Sequence, residues 1–165
     1  MKKIATLILA FILCFSTVIV CFAADGHGEI VYDGFADFEE TVAVTAYEDG
    51  TIFLTGNGIA DVYNLDLILG YEFFDSVKGV TIVLSEGISG IINLGHLSVK
   101  AFAVDENNPY LSTDSQGALM SKDKTVLIRV PASQAGSKIY TVADTVKTLS
   151  SNCFENCYFK EIIIP

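Results

Sequence analysis

The sequence predicts a mainly β protein with short helical turns: a repeat solenoid, closed at its N-terminal end by a β-hairpin and incomplete at its C-terminal end. Three observations carry this expectation. Residues 101–110 (AFAVDENNPY), 120–131 (MSKDKTVLIRVP) and 153–165 (CFENCYFKEIIIP) each couple a short apolar strand to a turn or compact loop. Strands recur at a spacing of roughly twenty residues, the period of stacked repeat units. A unit of that size cannot bury its own apolar face, so a neighbour must be stacked on it.

The chain starts with Lys2 and Lys3, continues from Ile4 to Phe22 without a charge, and reaches Ala23-Ala24-Asp25. This is the order of a secretory signal peptide, with cleavage expected after Ala23 because Cys21 and Ala23 then fill the two small-residue positions. The expected organisation is a signal peptide over 1–23, a capping β segment over 24–76, and repeats over 77–165 with a β-hairpin inserted at about 117–131. An uncleaved anchor is the rival reading, since the apolar stretch is long enough to span a bilayer. Leu13 and Val20 precede Cys14 and Cys21, where a lipid-attachment site needs a small residue.

Export leaves eight basic residues (ten less Lys2 and Lys3) against 20 acidic ones, a net charge of −12. A chain so acidic lacks the basic face that a phosphate backbone requires, which argues against nucleic acid and against an anionic membrane surface after cleavage. The charge keeps an exported protein dispersed. Of the four cysteines only Cys153 and Cys157 survive cleavage; four residues apart, they suit one face of a turn better than a disulfide. Neither a metal site nor a cofactor is expected, because His27 and His96 lie in distant segments and no CxxC is present.

Along the mature chain, Thr41 to Tyr47 alternates, Glu48-Asp49-Gly50 turns, and Thr51 to Thr55 alternates again: a hairpin. Its apolar members are expected to cover the open end of the array. Residues 59–76 have no clear period and read as a short helical or irregular crossing, with their aromatic cluster as core filler. Val77, Val80 and Ile82 have inward-facing strand spacing, and Ile88, Ile91 and Ile92 turn the chain back. The next strand holds Val99, Phe102 and Val104. It ends at Asp105 to Pro109, residues that bond their own backbone and halt regular structure; the glycine and ligand spacing of a calcium loop are missing. Two apolar runs flank Lys122-Asp123-Lys124 and form a hairpin that Pro131 ends. Ile139 to Val142 is another brief strand, 144–157 a compact turn with Val146, Leu149 and Phe154 inward, and Glu161 to Ile164 the last strand. One strand per coil at this spacing matches the leucine-rich-repeat pattern.

The run Phe102 to Tyr110, the hairpin Ser121 to Pro131, and the coil Phe154 to Cys157 leading to Ile162–Pro165 resemble the BspA-like leucine-rich repeat family of bacterial surface and secreted proteins. The resemblance covers residues 77–165, and Asp49 to Gly58 is similar to the cap that precedes such repeats. Departures stand at Cys153, Ala143 and Thr145, where the family has alanine, proline and glycine. The resemblance implies a parallel-strand solenoid, secreted or displayed on the cell surface, associated with adhesion and protein binding and not with catalysis.

Strand alternation places Val80, Ile82, Phe102, Val104, Tyr140, Val142, Ile162 and Ile164 toward the core. Thr81, Val83, Ala101, Ala103, Thr141 and Ile163 then line the exposed sheet face, a row of small and apolar side chains that is the expected contact surface for a protein or glycan. No residue is assigned a catalytic role: Ser98, Ser112 and Ser121 lack the elbow motif of a nucleophile, and the acids are scattered in turns. A structural repeat fragment of a longer surface protein, without a ligand of its own, is the alternative; a hydrolase fragment is the remote one. The chain stops at the end of a strand, so its final apolar coil is expected to be covered by further sequence or by self-association.

Overall fold

The computed structural model describes residues 26–36, 40–95, 97–132 and 139–165, without the side chain of residue 66. The expected signal peptide with its cleavage residue Ala23, and His96, lie outside these residues. Among the described residues, thirteen strands and two short helices are distributed over a five-stranded sheet, a four-stranded sheet and two strand pairs. Mainly β structure is therefore found, but the expected solenoid is not: the strands do not form one continuous stacked sheet.

The largest sheet has the order β1 (Ile30–Phe35), β2 (Val42–Tyr47), β3 (Thr51–Gly56), β5 (Val80–Leu84), β7 (Val99–Val104). β2 and β3 pair antiparallel through the turn at 47–50, where Gly50 at φ 87° occupies a conformation that costs a side chain energy. Instead of standing as a cap across an open end, this hairpin is the middle of the sheet, with β1 antiparallel on one side and β5 parallel on the other. Parallel pairing needs crossovers. From β3 to β5 the crossover consists of β4 (Gly58–Asp61), α1 (Leu65–Leu69) and α2 (Tyr71–Ser76); from β5 to β7 it is β6 (Ile88–Ile92). β4 and β6 pair parallel beneath the main sheet. The approach there is close: a Cβ on Gly87 would collide with the carbonyl oxygen of Gly56.

Val42, Val44, Ile52, Leu54, Ile82, Leu84 and Ile88 are wholly buried between these layers. Each such side chain contributes about 1.5–3 kcal/mol of apolar burial, which fixes the register that the alternation in β2, β3 and β5 requires.

Parallel addition to the five-stranded sheet stops after β7. Asp105 accepts from the Asn107 amide, the chain turns, and Pro109 supplies no donor. The chain then runs as an antiparallel meander of β8 (Leu111–Thr113), β9 (Leu119–Ser121) and β10 (Val126–Arg129), to which β12 (Thr148–Leu149) adds in parallel. β11 (Ile139–Thr141) and β13 (Glu161–Ile163) form a separate parallel pair. The inserted hairpin thus redirects the pairing, and this is the physical reason the one-strand-per-coil progression breaks.

The meander divides two cores. Leu111 and Leu119, with Ile128 packed on them, belong to the core of the five-stranded sheet; Met120 and Leu127 belong to a second core with Val130, Tyr140, Val142 and Cys153. Val146 and Phe154 pack on the second core as expected, but Leu149 is 40% exposed. Ile162 and Ile164, expected inward, are 38% and 62% exposed, because no described element packs over that side of β13. Cys153 is buried and Cys157 half-buried, and both are free thiols.

Candidate functional site

The outward face of the five-stranded sheet is set by its register. Asp33 lies beside Thr45, Thr45 beside Phe53, Phe53 beside Val83 and Val83 beside Ala103, a row that crosses all five strands. One step along, Thr51 pairs with Thr81 and Thr81 with Ala101. Val80 and Val99 keep their inward orientation across an irregularity that leaves Lys100 exposed. Thr81, Val83, Ala101 and Ala103 are therefore brought together as the alternation predicts, the first three partly exposed and Ala103 exposed. Thr141 and Ile163 are not part of this face. They are register partners on β11 and β13, in another sheet.

Sequence reasoning missed the β1–β3 half of the face. Phe53 is the aromatic side chain of β3 on this face, and the signal for it is the same alternation at Thr51, Phe53 and Thr55 that identifies the hairpin. At this end the segment preceding β1 lies against the sheet. The His27 ring contacts Tyr47 (centroids 5.5 Å) and Phe53 (5.7 Å), and Tyr47 and Phe53 meet edge to face at 5.7 Å. Asp49 joins the cluster with one oxygen 2.8 Å from His27 Nδ1 and the other accepting from the Thr51 amide at 2.8 Å. Burial pushes the Asp49 carboxyl up, but the hydrogen bonds from His27 and Thr51 prevail and hold it below its ordinary value. Thr45 donates to Asp33 at 3.1 Å.

His27, Asp49 and Thr51 do not form a relay. Thr51 Oγ1 is 3.3 Å from Nδ1, the same nitrogen that Asp49 holds. A base that activates a hydroxyl uses one ring nitrogen for the hydroxyl and the other for the carboxylate. Two of the three serines named as nucleophile candidates have structural partners as well: Ser112 donates to the Ser121 carbonyl, and Ser121 donates to Asp123. No group of three or more His, Cys, Asp or Glu side chains gathers to hold a metal among the described residues. No helix among them is long and apolar enough to cross a membrane.

Two cavities lie away from the sheet face. One of about 540 Å³ opens between the α1–α2 segment and residues 93–97. The other, of about 380 Å³, lies between residues 91–95 and the 150–155 turn and is lined by Arg129, whose Nη1 donates to the Asn152 carbonyl and to Glu155 Oε2, both at 2.9 Å.

In the second core Tyr140 packs against Phe154 and Phe159 and donates to Asp114 at 3.3 Å. Burial first, then the Asp114 charge, pushes its hydroxyl far above the ordinary value of about 10. Above about pH 10 the unfolded chain has lost this proton while the folded chain keeps it. The unfolded state then binds fewer protons, and stability falls as pH rises. Burial raises the thiols of Cys153 and Cys157 in the same direction. Denaturant midpoints should drop between about pH 8 and about pH 11, and Tyr140→Phe should reduce the drop; an unchanged midpoint in the unmodified protein would refute this.

No family model matches the chain, and no curated protein matches it. Among solved structures it is similar to a bacterial leucine-rich repeat protein, from Eubacterium ventriosum, at 14% identity and a TM-score of 0.34. The match covers 83% of this chain, which spans 60% of the length of that protein. The strand pairings define the fold independently of that likeness.

Proposed function

We propose that the protein is an exported binding module of the BspA-like leucine-rich-repeat type and that it contacts a protein ligand through the outward face of β3, β5 and β7. The observation that carries this reading is the continuous row Phe53, Val83, Ala103 flanked by Thr51, Thr81 and Ala101. Its side chains are small apart from Phe53, so the surface is flat. Flat faces with a central aromatic suit a protein partner, whose affinity comes from a few buried anchors. Asp33 and Asp49 stand at the β1–β3 end, which favours a partner with basic residues on that rim. Export rests on the Lys2-Lys3 leader and the uncharged run to Phe22.

The experiment is capture from host and bacterial surface proteins by the mature chain, followed by affinity measurement for each captured protein. Thr81→Arg should weaken a genuine ligand at least about tenfold while leaving the far-ultraviolet circular dichroism unchanged, since Thr81 is partly exposed. Thr141→Arg, on the other sheet, tests whether the surface extends to β11 and β13. If no captured protein is weakened by Thr81→Arg, the sheet face is not the contact surface.

A further inference from the structure

The cavity beside α1 and α2 is built differently from the sheet face. Its opening is flanked by Tyr63, Leu67 and Tyr71, which are 74%, 84% and 79% exposed. Three large apolar side chains this exposed around one concavity are uncommon, because burial of such groups is what drives folding. Asn64 and Asn93 also line the cavity. Asn93 is held in place: its Nδ2 donates to Asp61 Oδ1 at 3.0 Å, and the same oxygen accepts the Tyr63 amide at 3.0 Å. One carboxylate thus fixes both an aromatic residue and an amide of the rim. The side chain of Asn64 has no hydrogen-bond partner among the described residues, and the Asn64 backbone carbonyl accepts the Ile68 amide in α1 at 2.9 Å. Gly70, at φ 75° between α1 and α2, also lines the cavity.

Among the described residues that line it none is charged, although the chain carries 20 acidic residues and a net charge of −10. What the cavity offers is aromatic faces for stacking, together with amides that both donate and accept. A ligand that matches has an apolar C–H face and a neutral rim of hydroxyls, and its size suits a cavity within the ~300–1,000 Å³ range of small-molecule sites. We infer that this cavity binds a neutral saccharide, its pyranose ring stacked on Tyr63 or Tyr71 and its hydroxyls bonded to Asn64 and Asn93. The inference is independent of the sheet-face reading.

The test is binding of the mature chain to a printed array of neutral hexose and N-acetylhexosamine oligomers, a sialylated form of each, and unglycosylated tyrosine- and proline-rich peptides. Neutral oligomers should bind, and both Tyr63→Ala and Tyr71→Ala should weaken them at least about tenfold, whereas Thr81→Arg should not. Tyr63→Phe should retain most of the binding, because the ring does the stacking. Both tyrosines are exposed, so their truncation leaves the fold intact, as circular dichroism would check. The inference is overturned if no neutral oligomer binds, if the tyrosine variants bind as well as the parent, or if only the sialylated forms or the peptides are retained.

Discussion

Replacing Asn108 with alanine is expected to lower the unfolding free energy by about 3–5 kcal/mol, a large share of the ~5–15 kcal/mol typical of a domain. Asn108 is fully buried, and its amide is used on both sides. Nδ2 donates to the Ser85 carbonyl at 2.7 Å and the Ile88 carbonyl at 2.8 Å; Oδ1 accepts the Tyr110 and Leu111 amides, each at 2.8 Å. Alanine would take a donor from two carbonyls and the acceptor from two N–H groups; the Ser85 carbonyl would keep the Ile88 amide at 3.2 Å, while the Ile88 carbonyl and the Leu111 amide lose buried bonds. Asn108→Asp separates the contributions. The new carboxylate would still accept from residues 110 and 111 but would face the Ser85 and Ile88 oxygens without a proton. Its folded pKa would be raised, so the deficit should be larger at about pH 7 than at about pH 4, where a carboxylic acid can donate. Urea midpoints at both pH values measure this, and an Asn108→Ala loss under about 1 kcal/mol would show the bracket to be unimportant.

Arg129→Ala is expected to cost about 2–4 kcal/mol. The Arg129 side chain is 4% exposed and ties β10 to the 150–155 turn through Asn152 and Glu155. Its loss opens a void and removes one of the two donors to the Asn152 carbonyl, which keeps the Glu155 amide at 2.9 Å. Glu155 is 32% exposed and can be hydrated, which keeps the penalty below that of a fully enclosed pair. Arg129 Nε is buried with no partner among the described residues, so part of the guanidinium's desolvation is not offset. Arg129→Met, which fills the space without a charge, should therefore lose less than half as much as Arg129→Ala. Chemical denaturation of the two variants decides the point: equal losses would mean that the charge matters more than the packing.

Local structure is legible in the sequence where local chemistry governs it. The alternation of Thr81 and Val83 against Val80 and Ile82 predicts which side of β5 is outward, and the Asx-rich segment 105–109 predicts a chain reversal. The partners of Asn108 are not legible, because Ser85 and Ile88 are 23 and 20 residues away. Phe53 escapes notice for a related reason: its hairpin reads as self-contained, and only the parallel β3–β5 pairing across a long crossover brings it beside Val83. The solenoid expectation extends one pairing rule over the whole chain. The runs at 118–120 and 126–128 carry a warning, since uninterrupted apolar residues in short strands point to burial on both faces, whereas a repeat strand needs only one. At the other extreme, the aromatic cluster of 59–76 reads as core filler; Phe73 and Phe74 do pack against the main core, but Tyr71 is among the most exposed side chains.

Because Leu119 faces one core and Met120 the other, β9 acts as a party wall between two rooms that share no other furniture along that strand. Shifting it by one residue would exchange the two side chains and misfit both interiors at once. The two halves of the molecule thus check each other's alignment, and an error in either one is felt on both sides of the wall.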